Sequence, residues 1–192
     1  MENEMSLRLF VAMDVPGGLK EEMGRAMEET AAAAAGLKWV RPENIHLTMK
    51  FLGNVEEEKL AEFKKTLRET ADAQAAIELS VGGYGAFPHP RRARVFWLGL
   101  EGGRSELAGL ACKLDKRLAK LGFRAENRPF AAHVTLARLR QPHDITKILE
   151  AWEAKHGIKG TAWRGEELVL YRSMLNGTGP CYTALERFMF KG

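Results

Sequence analysis

The segment HLTMKF, residues 46–51, returns nearly half a chain length later as HVTLAR, residues 133–138. In each copy a histidine and a threonine alternate with two aliphatic residues, the period-two pattern of a strand with one face on a core and the other turned away from it. No other feature constrains the fold as strongly. It asks for two strands, one from each half of the chain, that present the same pair of polar groups. His46 and Thr48 in the first copy match His133 and Thr135 in the second. Strict alternation also assigns Ile45, Leu47, Met49 and Phe51 to the core face of the first strand, and Lys50 to the face of His46 and Thr48.

The surrounding elements read as mixed α and β. Residues 6–13 form a strand, closed by Asp14 and the Pro16-Gly17-Gly18 turn, and a helix follows over 18–30. LKWV, residues 37–40, leads into the histidine strand over 43–53, whose end is marked by Gly53-Asn54. Residues 55–72 carry Leu60, Phe63 and Leu67 at helical spacing, with acidic residues early and basic ones late, as a helix dipole favours. Two strands over 76–87 and 93–100, a helix over 103–121, the second histidine strand over 130–139, a helix over 144–155 and two closing strands at 166–174 and 181–190 complete the series. No linker rich in Pro, Ser or Gly divides the chain. With 192 residues, 45% of them hydrophobic, one compact α+β unit covering 1–192 is expected.

Composition removes several alternatives. No apolar run approaches the roughly 18 residues of a membrane span, and the opening residues MENEMSLRLFVAMD carry acids where a leader peptide carries bases, so a cytoplasmic protein with no membrane partner is expected. Cys112 and Cys181 have no CxxC or His-rich neighbourhood; neither a disulfide nor a zinc site is expected. The net charge of +4 fits a phosphate-bearing partner without requiring one.

Two matched histidines suit acid–base chemistry, because an imidazole with an ordinary pKa of about 6.5 can accept a proton in one copy and donate it in the other. A pair on opposing strands can flank a single reacting bond, and the neighbouring threonine hydroxyls can hydrogen-bond anionic oxygens. Negatively charged acceptors favour phosphate.

At this point the residues resemble a known family. HLTMKFLG and HVTLAR are similar to the two HxTx motifs of the 2H phosphoesterase superfamily, and the longer strings KWVRPENIHLTMKFLG and RPFAAHVTLAR resemble its RNA 2',3'-cyclic phosphodiesterase branch, also called 2'-5' RNA ligases. The resemblance implies a bilobal α+β fold: two pseudo-symmetric lobes, each with an antiparallel sheet and outer helices, around a central cleft lined by one HxT strand from each lobe. It implies no metal and no cofactor, His46 as general acid, His133 as general base, and Thr48 and Thr135 on the phosphate. It adds Arg138 as a further phosphate contact, although parity sets Arg138 opposite His133, so that it must reach the cleft from a strand end or bulge. The implied substrate is an RNA end bearing a 2',3'-cyclic phosphate, tRNA fragments among the candidates, opened to a 2'-phosphate by a monomeric enzyme, with a reversible 2'-5' ligase reaction. The alternatives are a 2H-type enzyme acting on a small cyclic nucleotide and an RNA-end binding module without turnover.

Secondary candidates are weaker. His89, His143 and His156 lack a Thr two residues on and are read as surface residues. Arg91, Arg92 and Arg94 form a basic run suited to an RNA backbone or to a solvated edge. Of Trp39, Phe51, Tyr84 and Phe87, the last is the preferred surface for stacking a terminal base, since it falls in a loop rich in glycine and proline. Phe51 is read as core.

Overall fold

A computed structural model describes residues 6–192 apart from positions 35, 157, 159 and 178. The described chain forms β1 (Ser6–Asp14), α1 (Gly17–Ala31), β2 (Lys38–Trp39), β3 (His46–Glu56), α2 (Leu60–Asp72), β4 (Ile77–Phe87), β5 (Ala93–Gly102), α3 (Arg104–Ala119), β6 (His133–His143), α4 (Thr146–Lys155), β7 (Ala162–Gly165), β8 (Glu167–Asn176) and β9 (Gly179–Met189). The helices have the apolar stripes that the sequence requires. Leu107, Leu110, Ala111, Leu114 and Leu118 are the buried residues of α3, and Phe63, Leu67, Thr70 and Ala71 those of α2. Gly103 opens α3 at a φ of +75°, and a Cβ there would meet Leu79 Cδ2 at 2.5 Å and the Glu78 carbonyl at 2.7 Å, so only glycine fits.

The strands lie in the order β7-β4-β5-β6-β3-β1-β8-β9, with β2 alongside β6, and every pairing is antiparallel. Two four-stranded halves meet at one Cα pair, Leu47 with Val134, so both histidine strands are central. The chain runs through similar series twice: β1-α1-β3-α2-β4, then β5-α3-β6-α4-β8. The third strand of each series pairs across, β4 with β5 and β8 with β1. Each series needs a strand from the other to complete its sheet, and on that ground we propose that the whole chain is one domain.

Several boundaries differ from the sequence reading. The first histidine strand passes Gly53-Asn54 and ends at Glu56, because β1 continues to pair with it as far as Ser6. The second begins at His133 and runs through Pro142 to His143, with β2 and β5 as partners on its two sides. LKWV supplies only the two-residue β2, and β7 was not anticipated. The helix expected from residue 55 begins at Leu60, after a 3-10 turn at Glu57–Lys59.

The largest departure is inside the two motifs. Thr48 pairs with Ala12 and Lys50 with Val11, leaving Met49 as an extra residue; Thr135 pairs with Trp97 and Ala137 with Phe96, leaving Leu136 extra. Each motif therefore holds a β-bulge at its fourth residue, and alternation flips there. Lys50, assigned by parity to the polar face, is buried at 8% exposure, where Nζ pairs with Asp115 of α3 and donates to the Arg124 carbonyl at 2.7 Å. Phe51, expected in the core, is 67% exposed. Replacing Lys50 by methionine leaves the Asp115 carboxylate without its cation, and it is expected to cost about 2 kcal/mol in urea unfolding. An unchanged midpoint would show the pair to be idle.

Candidate active site

The face of the sheet away from the core carries the duplicated polar residues. Leu47 and Val134 are buried beneath their strands, whereas His46, Thr48, His133 and Thr135 are half-buried on the other side. Continuing the Leu47–Val134 register by one residue in each direction sets His46 across from Thr135 and Thr48 across from His133. The four side chains form one constellation at the join between the half-sheets.

Both imidazoles are held in the same way. His46 Nδ1 lies 2.7 Å from the Asn44 carbonyl and His133 Nδ1 lies 2.7 Å from the Ala131 carbonyl, in each case two residues back. A carbonyl oxygen can only accept, so each Nδ1 carries the proton, and in the neutral ring Nε2 keeps a lone pair. Neither Nε2 nor either threonine hydroxyl is used within the described residues. Asn44 is buried, and its side-chain amide donates to the Pro180 carbonyl at 2.9 Å, which ties the turn of the β8–β9 hairpin to the residue that orients His46. The hairpin curls over this face: Tyr182 stands edge-on to His46 at 5.3 Å and Phe10 lies 4.8 Å from the same ring.

Electrostatics separate the two rings. Burial pulls the His46 pKa down to about 4, opposed by the Asn44 carbonyl, while Lys20 and Arg138 lower it further and Asp14 raises it. Burial also lowers His133, again opposed by a carbonyl and reinforced by Arg138, but no carboxylate acts on it. The register gives the reason. Asp14 pairs with His46, and the corresponding partner of His133 is Gly99. Asp14 is itself held by Lys20 at 2.6 Å and by Arg187 at 3.1 Å, and with Tyr171, whose hydroxyl burial pushes up to about 12, it forms a fixed polar support beneath His46.

The bulge at Leu136 carries Arg138 to the face of His133 and Thr135, where it is exposed and acts on both histidines and on Tyr182. The condition that parity imposed on Arg138 is met by this bulge. Phe51 occupies the same position in the first motif and turns to the same face, 6.1 Å from Phe10. An inserted residue that faces the core and a lysine followed by an aromatic look, in sequence, like uninterrupted alternation, and only the repeat of the motif could have flagged Phe51 as the counterpart of Arg138.

The remaining candidates are dispersed. Phe87 stands edge-on to His133 at 5.0 Å and packs on Trp97 at 5.2 Å, at the rim of the constellation. Trp39 stacks on Trp152, and Tyr84 donates its hydroxyl to the His156 carbonyl, so neither offers a free face there. His89 and His143 are exposed; His156, read as a surface residue, is half-buried against Trp152 because α4 ends beneath it. Arg91 faces Asp144 outside the constellation. Cys112 and Cys181 are free and exposed, and among the described residues no three metal-ligating side chains of the His, Cys, Asp and Glu types come together.

A model of the LigT-like phosphoesterases matches the chain twice, over residues 14–97 and 98–182. The chain belongs to this family. The two matched segments each contain one of the histidine strands, so the duplication seen in the motifs is that of the LigT-like unit itself. It is an enzyme of the 2H phosphoesterase type, with the two-repeat LigT fold and four helices on an antiparallel sheet. Curated relatives include the RNA 2',3'-cyclic phosphodiesterase of Methanothermobacter thermautotrophicus, 36% identical over 184 residues that span 96% of this chain and 99% of the relative. The enzyme of the same name from Aquifex aeolicus is 30% identical, over 97% and 98% of the two chains. Among solved structures, TT0787 of Thermus thermophilus superposes with a TM-score of 0.81 at 28% identity, covering 97% of this chain and 99% of that one. E. coli LigT in complex with 3'-AMP does so with a TM-score of 0.75 at 26% identity, covering 98% and 100%. Among the described residues, no helix of this LigT-like chain is long and apolar enough to cross a membrane.

Proposed function

We propose that this phosphoesterase opens RNA 2',3'-cyclic phosphate ends to 2'-phosphates, with His133 as general base and His46 as general acid. The observation that carries the reading is the pair of imidazoles fixed through Nδ1 on one sheet face, each with Nε2 unspent. Neutral His133 takes the proton of a water that attacks phosphorus; His46, protonated at both nitrogens, keeps its hydrogen bond to the Asn44 carbonyl and gives the Nε2 proton to the departing 3'-oxygen. Burial, Lys20 and Arg138 outweigh Asp14 in the free protein, but the Asp14 carboxylate favours the cationic form of His46 and has no counterpart beside His133. Thr48, Thr135 and Arg138 bear the phosphate charge, and no step requires a metal ion. Phe51, Tyr182 and Phe87 give a terminal base aromatic surfaces on either side, consistent with a nucleotide-binding relative such as LigT with 3'-AMP. By microscopic reversibility the site can also join such an end to a 5'-hydroxyl, a 2'-5' ligation.

The test is incubation of an RNA oligomer ending in a cyclic phosphate with the protein in EDTA, followed by treatment with a 3'-specific phosphatase. The expected product resists it. Product that is dephosphorylated means that the 2'-oxygen leaves and the acid and base are exchanged; turnover that needs a restored divalent ion removes the two-histidine account.

Arg138 gives a second check with two signs. Its guanidinium lowers both histidines, so Arg138→Met is expected to raise both imidazole pKa values in the free protein while lowering kcat/KM by about tenfold or more through loss of a charge-assisted phosphate contact. NMR titration of the ring protons reads the first effect and kinetics the second. Unmoved titrations would place Arg138 outside the constellation.

A further inference from the structure

Beyond Arg138, β6 leads away from the histidines through a strip of cations that the chemistry of the terminal nucleotide does not use. Arg138 and Arg140 are both exposed, with buried Leu139 between them, so they project from one side about 7 Å apart along the strand. Lys38 of β2 pairs directly with Arg138. Arg94 of β5 joins them, its Nη1 donating to the Arg140 carbonyl at 3.3 Å. Among the described residues none of these four side chains forms an ion pair. Elsewhere, Lys20 of α1 and Arg187 of β9 are paired with Asp14, and Arg164 of β7 with Glu78 and Glu166, whereas Arg8 of β1 and Arg172 of β8 are, like the strip, without an ion pair among the described residues. The strip is bounded by the β8–β9 hairpin, because Lys38 Nζ comes within 3.7 Å of the Cβ position of Gly179.

Unpaired cations held close together repel one another, and an anion of matching repeat relieves that repulsion. Arg138 and Arg140 are spaced along β6 much as successive phosphates are on an extended single strand, Lys38 and Arg94 flank them on the neighbouring strands, and the strip begins at the residue assigned to the reacting phosphate. We propose that Lys38, Arg94 and Arg140 form a track for the single-stranded RNA backbone on the 5' side of the terminal nucleotide. The enzyme is then a polynucleotide-end phosphodiesterase that gains affinity from phosphates it does not cleave. This rests on the functional reading above. On the opposite side of the histidines Lys20 and Arg187 are paired with Asp14 and Glu167, so the cations there are already engaged.

The experiment compares adenosine 2',3'-cyclic phosphate with a short single-stranded oligoribonucleotide ending in the same group, for the wild-type chain, the K38A/R140A double variant, and K113A on the exposed side of α3 as a control. Expected for the wild type is a higher kcat/KM on the oligomer, with a steeper salt dependence. K38A/R140A should lose about tenfold or more on the oligomer and stay within about twofold on the mononucleotide, its salt slope flattening by about 0.7 for each phosphate contact removed; K113A should change neither. Equal wild-type activity on the two substrates, or a loss in the double variant that is the same on both, overturns the track. Binding of a labelled oligomer ending in a 2'-phosphate separates the two readings. If wild type binds it, K38A/R140A binds it about tenfold more weakly, and neither substrate is turned over, then the track stands and the proposed catalysis fails; binding that is unaltered in a folded K38A/R140A overturns the track.

Discussion

His46→Ala and His133→Ala are each expected to lower kcat by at least about 10²-fold on a cyclic-phosphate end, the scale on which a positioned acid or base contributes. Both rings are half-buried on the open face of the sheet, and the core residues beneath them, Leu47 and Val134, are untouched, so each variant should unfold at close to the wild-type temperature. His→Asn variants are the stringent form of the test. An asparagine amide can replace the hydrogen bond to the Asn44 or Ala131 carbonyl but cannot shuttle a proton, so it should be as slow as alanine. Because the proposed mechanism uses the two rings in one proton-transfer sequence, the double variant should be little slower than the slower single one. A folded His133→Ala chain with a near-normal rate would remove the base from the mechanism.

The second large effect concerns protonation. In the free protein His46 is neutral down to about pH 4, whereas a general acid must carry a proton near neutrality. Bound phosphate resolves this, since a negative charge beside Nε2 favours the imidazolium. A monoanionic diester such as a 3',5'-cyclic nucleotide, added to the His133→Ala chain to prevent turnover, is expected to raise the His46 pKa by two units or more, about 100-fold in proton affinity. Linkage requires the reciprocal result, so the diester should bind more tightly as the pH is lowered from 7 towards 5. NMR titration of the His46 ring with and without the diester measures the shift; a ring still neutral at pH 6 in the complex would exclude His46 as the acid. The same depressed values act on stability in the absence of ligand. Between the ordinary pKa of about 6.5 and the lowered folded ones, the unfolded chain binds more protons, so stability should fall as the pH drops through that interval.

The α+β class, most of the elements and the shared face of His46, Thr48, His133 and Thr135 were legible in the residues alone, because a period-two pattern repeated in two places sets which side chains project together. The repeat also pairs the two copies, in keeping with a proposed reaction that needs both an acid and a base. Tertiary structure decided what happens after the fourth residue of each motif. Whether Met49 and Leu136 are ordinary strand residues or inserted ones depends on how many residues the neighbouring strands β1 and β5 offer opposite them, a non-local quantity that local alternation does not contain. From that count follow the burial of Lys50 against Asp115, the exposure of Phe51 and the presence of Arg138 beside both histidines. The same holds for the difference between the rings, which combines the burial of His46 with Asp14 lying across from it and Gly99 across from His133, and for the strip of Lys38, Arg94 and Arg140, three residues far apart in the chain that only strand pairing brings to one end of β6.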